Sequence, residues 1–91
     1  MVDEIIYIEA QDDYAMLYTA NDSFLTSKGI TAIHSKLNPE EFLRVHRSFV
    51  VSINHIKEVL KDTSGFQILT SNNKKISVSR SYTDVLNKLK L

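Results

Sequence analysis

Two arginines, Arg47 and Arg80, are the side chains whose type and setting point most directly to binding chemistry. Arg47 lies in Phe42 to Ile56, FLRVHRSFVVSINHI, between the apolar pairs and triplets Phe42-Leu43 and Phe49-Val50-Val51. Phe, Val and Ile favour a pleated, half-buried strand, and arginine is seldom buried unpaired. A bend at Arg47-Ser48 therefore hands the guanidinium either to an acid, Glu41 or Glu9, or to a ligand. Its planar fork matches phosphate oxygens and also the O6 and N7 acceptors of guanine. Arg80 follows one strand-like segment and precedes a helical one, so it sits at a strand-to-helix corner. Free N–H groups at a helix start add positive potential for a phosphate. The alternative for Arg80 is a cap or an ion pair with Asp84.

No catalytic or metal constellation can be assembled. His34, His46 and His55 lack the i, i+4 spacing of zinc ligands on a helix, and the chain has no cysteine. There is no nucleophile elbow, and Gly29 and Gly65 alone make no phosphate-cradling loop. Asp12-Asp13 with a distant Glu does not match a calcium loop. An enzyme is not expected, nor a cofactor.

Many short strands should carry these residues. Ile5-Ile6-Tyr7-Ile8 is a continuous apolar run, which predicts a strand over Asp3 to Ala10 buried on both faces. Gln11-Asp12-Asp13 reads as a turn, Tyr14 to Ala20 as a second strand, Asn21-Asp22 as a two-residue hairpin, and Ser23 to Ser27 as a third strand. Ile30, Ile33 and Leu37 form the apolar stripe of a helix that starts at Gly29 and stops before Pro39. In the central stretch, alternation sets Phe42, Arg44 and His46 on one face against Leu43 and Val45. Ser52 to His55 reads as a turn, Ile56 to Leu60 as a strand, Lys61 to Gly65 as a loop, and Phe66 to Thr70 and Lys75 to Val78 as a hairpin around Ser71 to Lys74. Ser81 to Leu91 reads as a terminal helix capped by Ser79 or Ser81, with Tyr82, Val85, Leu86 and Leu89 as its stripe.

The 91 residues are one small mainly β domain of antiparallel sheets with short helical segments and a C-terminal helix. No apolar run could span a bilayer and no signal peptide is present, so a cytoplasmic location away from membranes is expected. Net charge is zero, yet its distribution is uneven. Residues 1–27 hold six acids and no Lys or Arg; residues 28–91 hold eleven Lys or Arg against five acids. Such a split favours one face of positive potential, or else an ordinary dipolar surface.

FLRVHRSFVVSINHIKEV resembles the signature of the LytTR DNA-binding family, the usual output domain of bacterial response regulators. Ile5 to Ala10 is similar to its first signature strand, Gly29 to Leu37 to its short helix, and Ser77-Val78-Ser79-Arg80-Ser81-Tyr82 to its closing motif. The resemblance spans nearly the whole chain. It implies sequence-specific binding of double-stranded DNA by turns in successive major grooves, on paired direct repeats, by two copies that form a possible homodimer on the DNA. It implies that Arg47 and Arg80 contact DNA, with a third contact from the turn after the first strand, where Asp13 and Tyr14 are the candidates. Two aspartates in that turn depart from the family pattern, and so does Ser52, where asparagine is usual. Ser48, Ser81, Lys74 and Lys75, with Ser79, are candidate phosphate contacts, although for the two lysines a solvated hairpin tip is the safer reading. His46 is assigned to structure, fixing the bend that presents Arg47.

The family usually has a further strand before IIYIEA, and a receiver domain or sensor kinase acts upstream in a response regulator. Both are expected to lie outside this chain. The competing reading is a protein-interaction module of the same fold. The discriminator is whether Arg47, Arg80 and Lys74 or Lys75 share a face, as DNA binding would require, or whether an apolar patch lies at an open sheet edge instead.

Overall fold

The computed structural model describes residues 4–89 and contains two antiparallel sheets. The first has five strands: β1 (Tyr7–Gln11), β2 (Tyr14–Tyr18), β3 (Ser23–Leu25), β4 (Phe42–His46) and β5 (Phe49–Ser52), in the order β3-β2-β1-β5-β4. The second is β6 (Ile56–Asp62), β7 (Gly65–Thr70) and β8 (Lys75–Ser77), in that order. A short helix, α1 (Ile30–Ser35), joins β3 to β4, a 3-10 turn (Ile53–His55) joins β5 to β6, and Arg80–Leu89 forms a terminal 3-10 helix.

The apolar run at the start of the chain explains why β1 is central. Ile6 and Tyr7 enter one core with Leu43, Val45, Val51, Ile68, Ile76, Val78 and Leu86. Ile5 and Ile8 enter a second core with Ala15, Ile30, Phe42 and Val50. The first core lies between the two sheets and beneath the terminal helix. The second lies under α1, whose Ile33 and Leu37 pack against it. The five-stranded sheet is therefore covered on both faces, as the unbroken run requires. Burying each such side chain is worth about 1.5–3 kcal/mol.

Several boundaries differ from the sequence reading. The first strand begins at Tyr7; Asp3 lies outside the described residues, and Ile6 still bonds Tyr18 and Ser52 on either side, at 2.7 and 2.9 Å. The β2–β3 loop has four residues, 19–22, because Thr19 bonds the Asp22 carbonyl through both its N–H and its hydroxyl and so closes a wider turn than Asn21-Asp22 alone. β2 stops at Tyr18 and β3 at Leu25, both earlier than the alternation predicts. The expected loop at Lys61–Gly65 is tighter: Asp62 pairs with Gly65, and the Asp62 carboxylate accepts from the Ser64 N–H at 2.8 Å. The terminal segment is helical as expected up to Leu89, Lys90 and Leu91 lying outside the described residues, but it winds with 3-10 turns from Arg80; Leu86 is buried and Val85 and Leu89 pack on the first core.

Candidate nucleic-acid interface

The β4–β5 bend is built from its own side chains. A bulge between Arg44 and His46 places Arg44 opposite Val50 and His46 opposite Phe49, which leaves Arg47-Ser48 as the bend. His46 Nδ1 accepts the Ser48 N–H at 3.0 Å, and the imidazole meets Phe49 edge-on at 5.7 Å between centroids. Nδ1 can accept only if the ring is neutral with its proton on Nε2. The Arg44 guanidinium closes the other side of the bend. Its Nε donates to the His46 carbonyl at 2.8 Å and a terminal nitrogen donates to the Arg47 carbonyl.

Antiparallel pairing then gathers three segments at one end of the five-stranded sheet. The β1–β2 hairpin turns at Asp12-Asp13, where Asp12 takes a positive φ of 55°, a conformation that short Asn and Asp side chains tolerate. The Ala10 N–H bonds the Ser48 carbonyl at 2.8 Å, so that hairpin tip lies beside the bend. The Ser79 N–H bonds the Val45 carbonyl at 2.8 Å, which brings Arg80 to the same end. The backbone at Gly29 comes up against Asp13: a Cβ built there would stand 3.3 Å from the Asp13 carbonyl oxygen. Lys28 thus joins the group, and the Lys28 ammonium holds the nearby Lys36 below its ordinary lysine range.

Arg47 and Arg80 are exposed, and among the described residues neither guanidinium has an ion-pair or hydrogen-bond partner. The alternatives of a bridge from Arg47 to Glu41 or Glu9, and from Arg80 to Asp84, are not formed. Tyr14 is 48% exposed at the hairpin tip, where Asp13 is exposed beside it. Ser48 is half-buried in the bend and Ser81 is exposed in the first turn of the terminal helix. The structure does not bring Lys74 and Lys75 to this end. Lys74 Nζ sits 5.9 Å from the Tyr7 ring, at the far end of β1 from the hairpin tip, and Lys75 opens β8 at the end opposite Ser79-Arg80. The turn before them neighbours the 19–22 loop, with Ser71, His55 and Asp22 lining one shared cleft. The remaining histidines are internal ties: His34 Nε2 is 3.3 Å from the Phe42 carbonyl, and His55 Nδ1 is 3.0 Å from Ser71 Oγ.

The sequence reading missed Arg44. Alternation placed it beside Phe42 on one face, but the structure gives it four partners: the carbonyls of His46 and Arg47, the Thr31 hydroxyl at 3.3 Å and the Tyr82 ring at 5.9 Å. The signal available was its position three residues before a bend with carbonyls to satisfy.

A family model described as the LytTr DNA-binding domain matches residues 1–90. The chain belongs to the LytTr DNA-binding domain family. This LytTr domain is 37% identical over 87 residues to the sensory transduction protein LytT of Bacillus subtilis, an alignment that takes in 94% of the chain and 36% of LytT. It is 40% identical over 58 residues to the transcriptional regulatory protein YpdB of Escherichia coli, with 64% of the chain and 24% of YpdB covered. It thus spans about a third or less of the length of these relatives. A solved LytTr DNA-binding domain from Bacillus cereus superimposes with a TM-score of 0.86 at 29% identity, covering 97% of this chain and 82% of that one. The two small antiparallel sheets with short helical pieces are the LytTr fold. No helix among the described residues is long and apolar enough to cross a membrane.

Proposed function

We propose that this LytTr domain binds double-stranded DNA sequence-specifically, as the output element of a bacterial transcriptional regulator in the cytoplasm. One observation carries the reading: two exposed guanidinium groups without intramolecular partners stand on adjoining turns at one end of the fold, tied together by the Ser79–Val45 bond. Arg47 and Arg80 read base edges, since a bidentate arginine on guanine is the commonest specific contact. Tyr14 and Asp13 supply the third contact from the hairpin tip. Ser48 and Ser81 hold phosphates, which position the domain without reading sequence. Lys74 and Lys75 lie at the other end of β8, so the shared face expected of them with Arg47 and Arg80 is not formed; the two exposed arginines and the family match support the reading without them. The target is a pair of direct repeats occupied by two copies, with a receiver domain or sensor kinase upstream. The relatives' names, which refer to sensory transduction and transcriptional regulation, support that setting.

The test is selection from random duplex DNA, followed by fluorescence anisotropy at two salt concentrations. An enriched repeat whose affinity falls as salt rises is expected. Arg47→Ala and Arg80→Ala should each cost about 1–3 kcal/mol in specific binding with the circular dichroism spectrum unchanged. No enrichment, with weak binding insensitive to salt, would overturn the proposal.

A second reading has its own observation. On the edge strand β3, Phe24 is 55% and Leu25 60% exposed, and this edge carries no charged residue to deter pairing. An interaction module would use that edge. Phe24→Lys would then abolish partner binding and leave DNA affinity untouched.

A further inference from the structure

We infer that Arg44 is a positioning residue for DNA recognition: it touches no DNA and sets the geometry of the two arginines that do. The inference rests on the DNA-binding reading of the same end of the fold. All three guanidinium nitrogens are committed within the domain. Nε holds the His46 carbonyl, one terminal nitrogen holds the Arg47 carbonyl, and the other reaches Thr31 Oγ1 at 3.3 Å. The ring of Tyr82, two residues beyond Arg80, stands 5.9 Å from the guanidinium carbon. One side chain therefore joins the bend that carries Arg47, the first turn of α1, and the terminal helix that begins at Arg80.

This arrangement suits arginine and not lysine. A planar fork can hold two successive carbonyls and at the same time offer its charge to an aromatic ring, whereas an ammonium is a single point charge with no fork. A phosphate would have to displace bonds already made to neutral acceptors, which costs the satisfaction of two carbonyls at the bend. With Arg44 in place, the backbone of Arg47 is held from the inside while its own side chain remains free. Arg80 is tied to the same point through Tyr82 and through Ser79 on Val45. The spacing between the two readers is thus set by a residue that belongs to neither.

The experiment compares Arg44→Gln and Arg44→Lys with the wild type, on the DNA selected above and on unrelated duplex. Both variants should lose affinity for the selected DNA on the order of tenfold, within the range of couplings between contacting residues. Affinity for unrelated duplex, and the slope of log affinity against log salt, should stay unchanged. A direct phosphate contact would instead lower the slope by about one and weaken both duplexes alike, and that result overturns the inference. In an Arg47→Ala background the effect of Arg44→Gln should largely disappear; full multiplication of the two losses would mean independent roles. The free domain gives a readout that needs no DNA. Backbone order parameters at Arg47, Ser48 and Tyr82 should fall in both variants while those of β1 hold. If they do not fall, Arg44 positions nothing. If the wild type itself enriches no DNA, it is the functional reading that fails, and the order parameters still decide what Arg44 does. Should Arg44→Gln not fold, Arg44→Lys, which keeps the charge, carries the same comparisons.

Discussion

Replacing His46 separates the two contacts it makes and gives each a size. His46→Phe keeps an aromatic ring against Phe49 and removes the Nδ1 acceptor of the Ser48 N–H, a bond of 3.0 Å. The site is half-buried, so a net hydrogen bond of about 0.5–1.5 kcal/mol is lost. His46→Ala loses that bond and also the edge-on ring contact, worth about 0.5–1.5 kcal/mol beyond area burial. The expected order is wild type, then Phe lower by about 1 kcal/mol, then Ala lower by about 2 kcal/mol, the sum of the two contributions. Urea unfolding followed by circular dichroism resolves these steps. With an m-value of roughly 1 kcal/mol/M for a domain of this size, the midpoints should fall by about 1 M and 2 M. Both variants should also weaken specific DNA binding, because the bend that presents Arg47 loses its internal tie. An unchanged midpoint for His46→Phe would refute the assignment of Nδ1 as the acceptor that fixes the bend. Equal losses for Phe and Ala would remove the ring contact from the account.

Other consequences are as direct. Leu43→Ala opens a hole in the core between the sheets, where Leu43 is 2% exposed, and should cost about 2–5 kcal/mol in urea or thermal unfolding. Gly65 adopts a φ of 132°, so Gly65→Ala should cost about 1–3 kcal/mol by the same assays even though a Cβ there meets nothing. The Tyr7 phenol is pushed up from 10.0 to about 12, chiefly by burial, with Tyr18 and Glu9 adding to it. The folded state then keeps a proton that the unfolded state releases, so stability should fall as pH rises from about 10 to about 12. Tyrosinate absorbance should show a step near 12 that Tyr7→Phe removes.

Much of this architecture was legible because local pattern and burial agree. Ile5-Ile6-Tyr7-Ile8 announced a strand covered on both faces, and its residues divide between the two cores. Ile30, Ile33 and Leu37 gave the short helix and the face it buries. The bend at Arg47-Ser48 also followed from the residues, as a polar break between two apolar runs. What could not be read depends on contacts distant in sequence. Arg44 bonds Thr31 thirteen residues back and meets Tyr82 far ahead, and neither is visible in an alternating run. Lys74 and Lys75 read from the sequence as a solvated hairpin tip or as phosphate contacts; the packing of the β7–β8 turn beside the 19–22 loop places them away from the arginines. The four-residue β2–β3 loop was missed because Thr19, outside the turn signal, makes the closing bonds.

The free guanidinium groups of Arg47 and Arg80 bear on how such a domain can change over time. Among the described residues neither guanidinium makes a hydrogen bond or ion pair, so replacing one breaks no polar tie of the fold, and surface substitutions of that kind usually shift stability by less than about 0.5 kcal/mol. The framework around them is the opposite case: Arg44, His46 and the core strands are each bound to several partners. If Arg47 and Arg80 read DNA as proposed, a lineage can therefore exchange them one at a time, and sample new target sites, without first acquiring spare stability. Drift in what is recognised is cheap here, and drift in how the recognising turns are held is not.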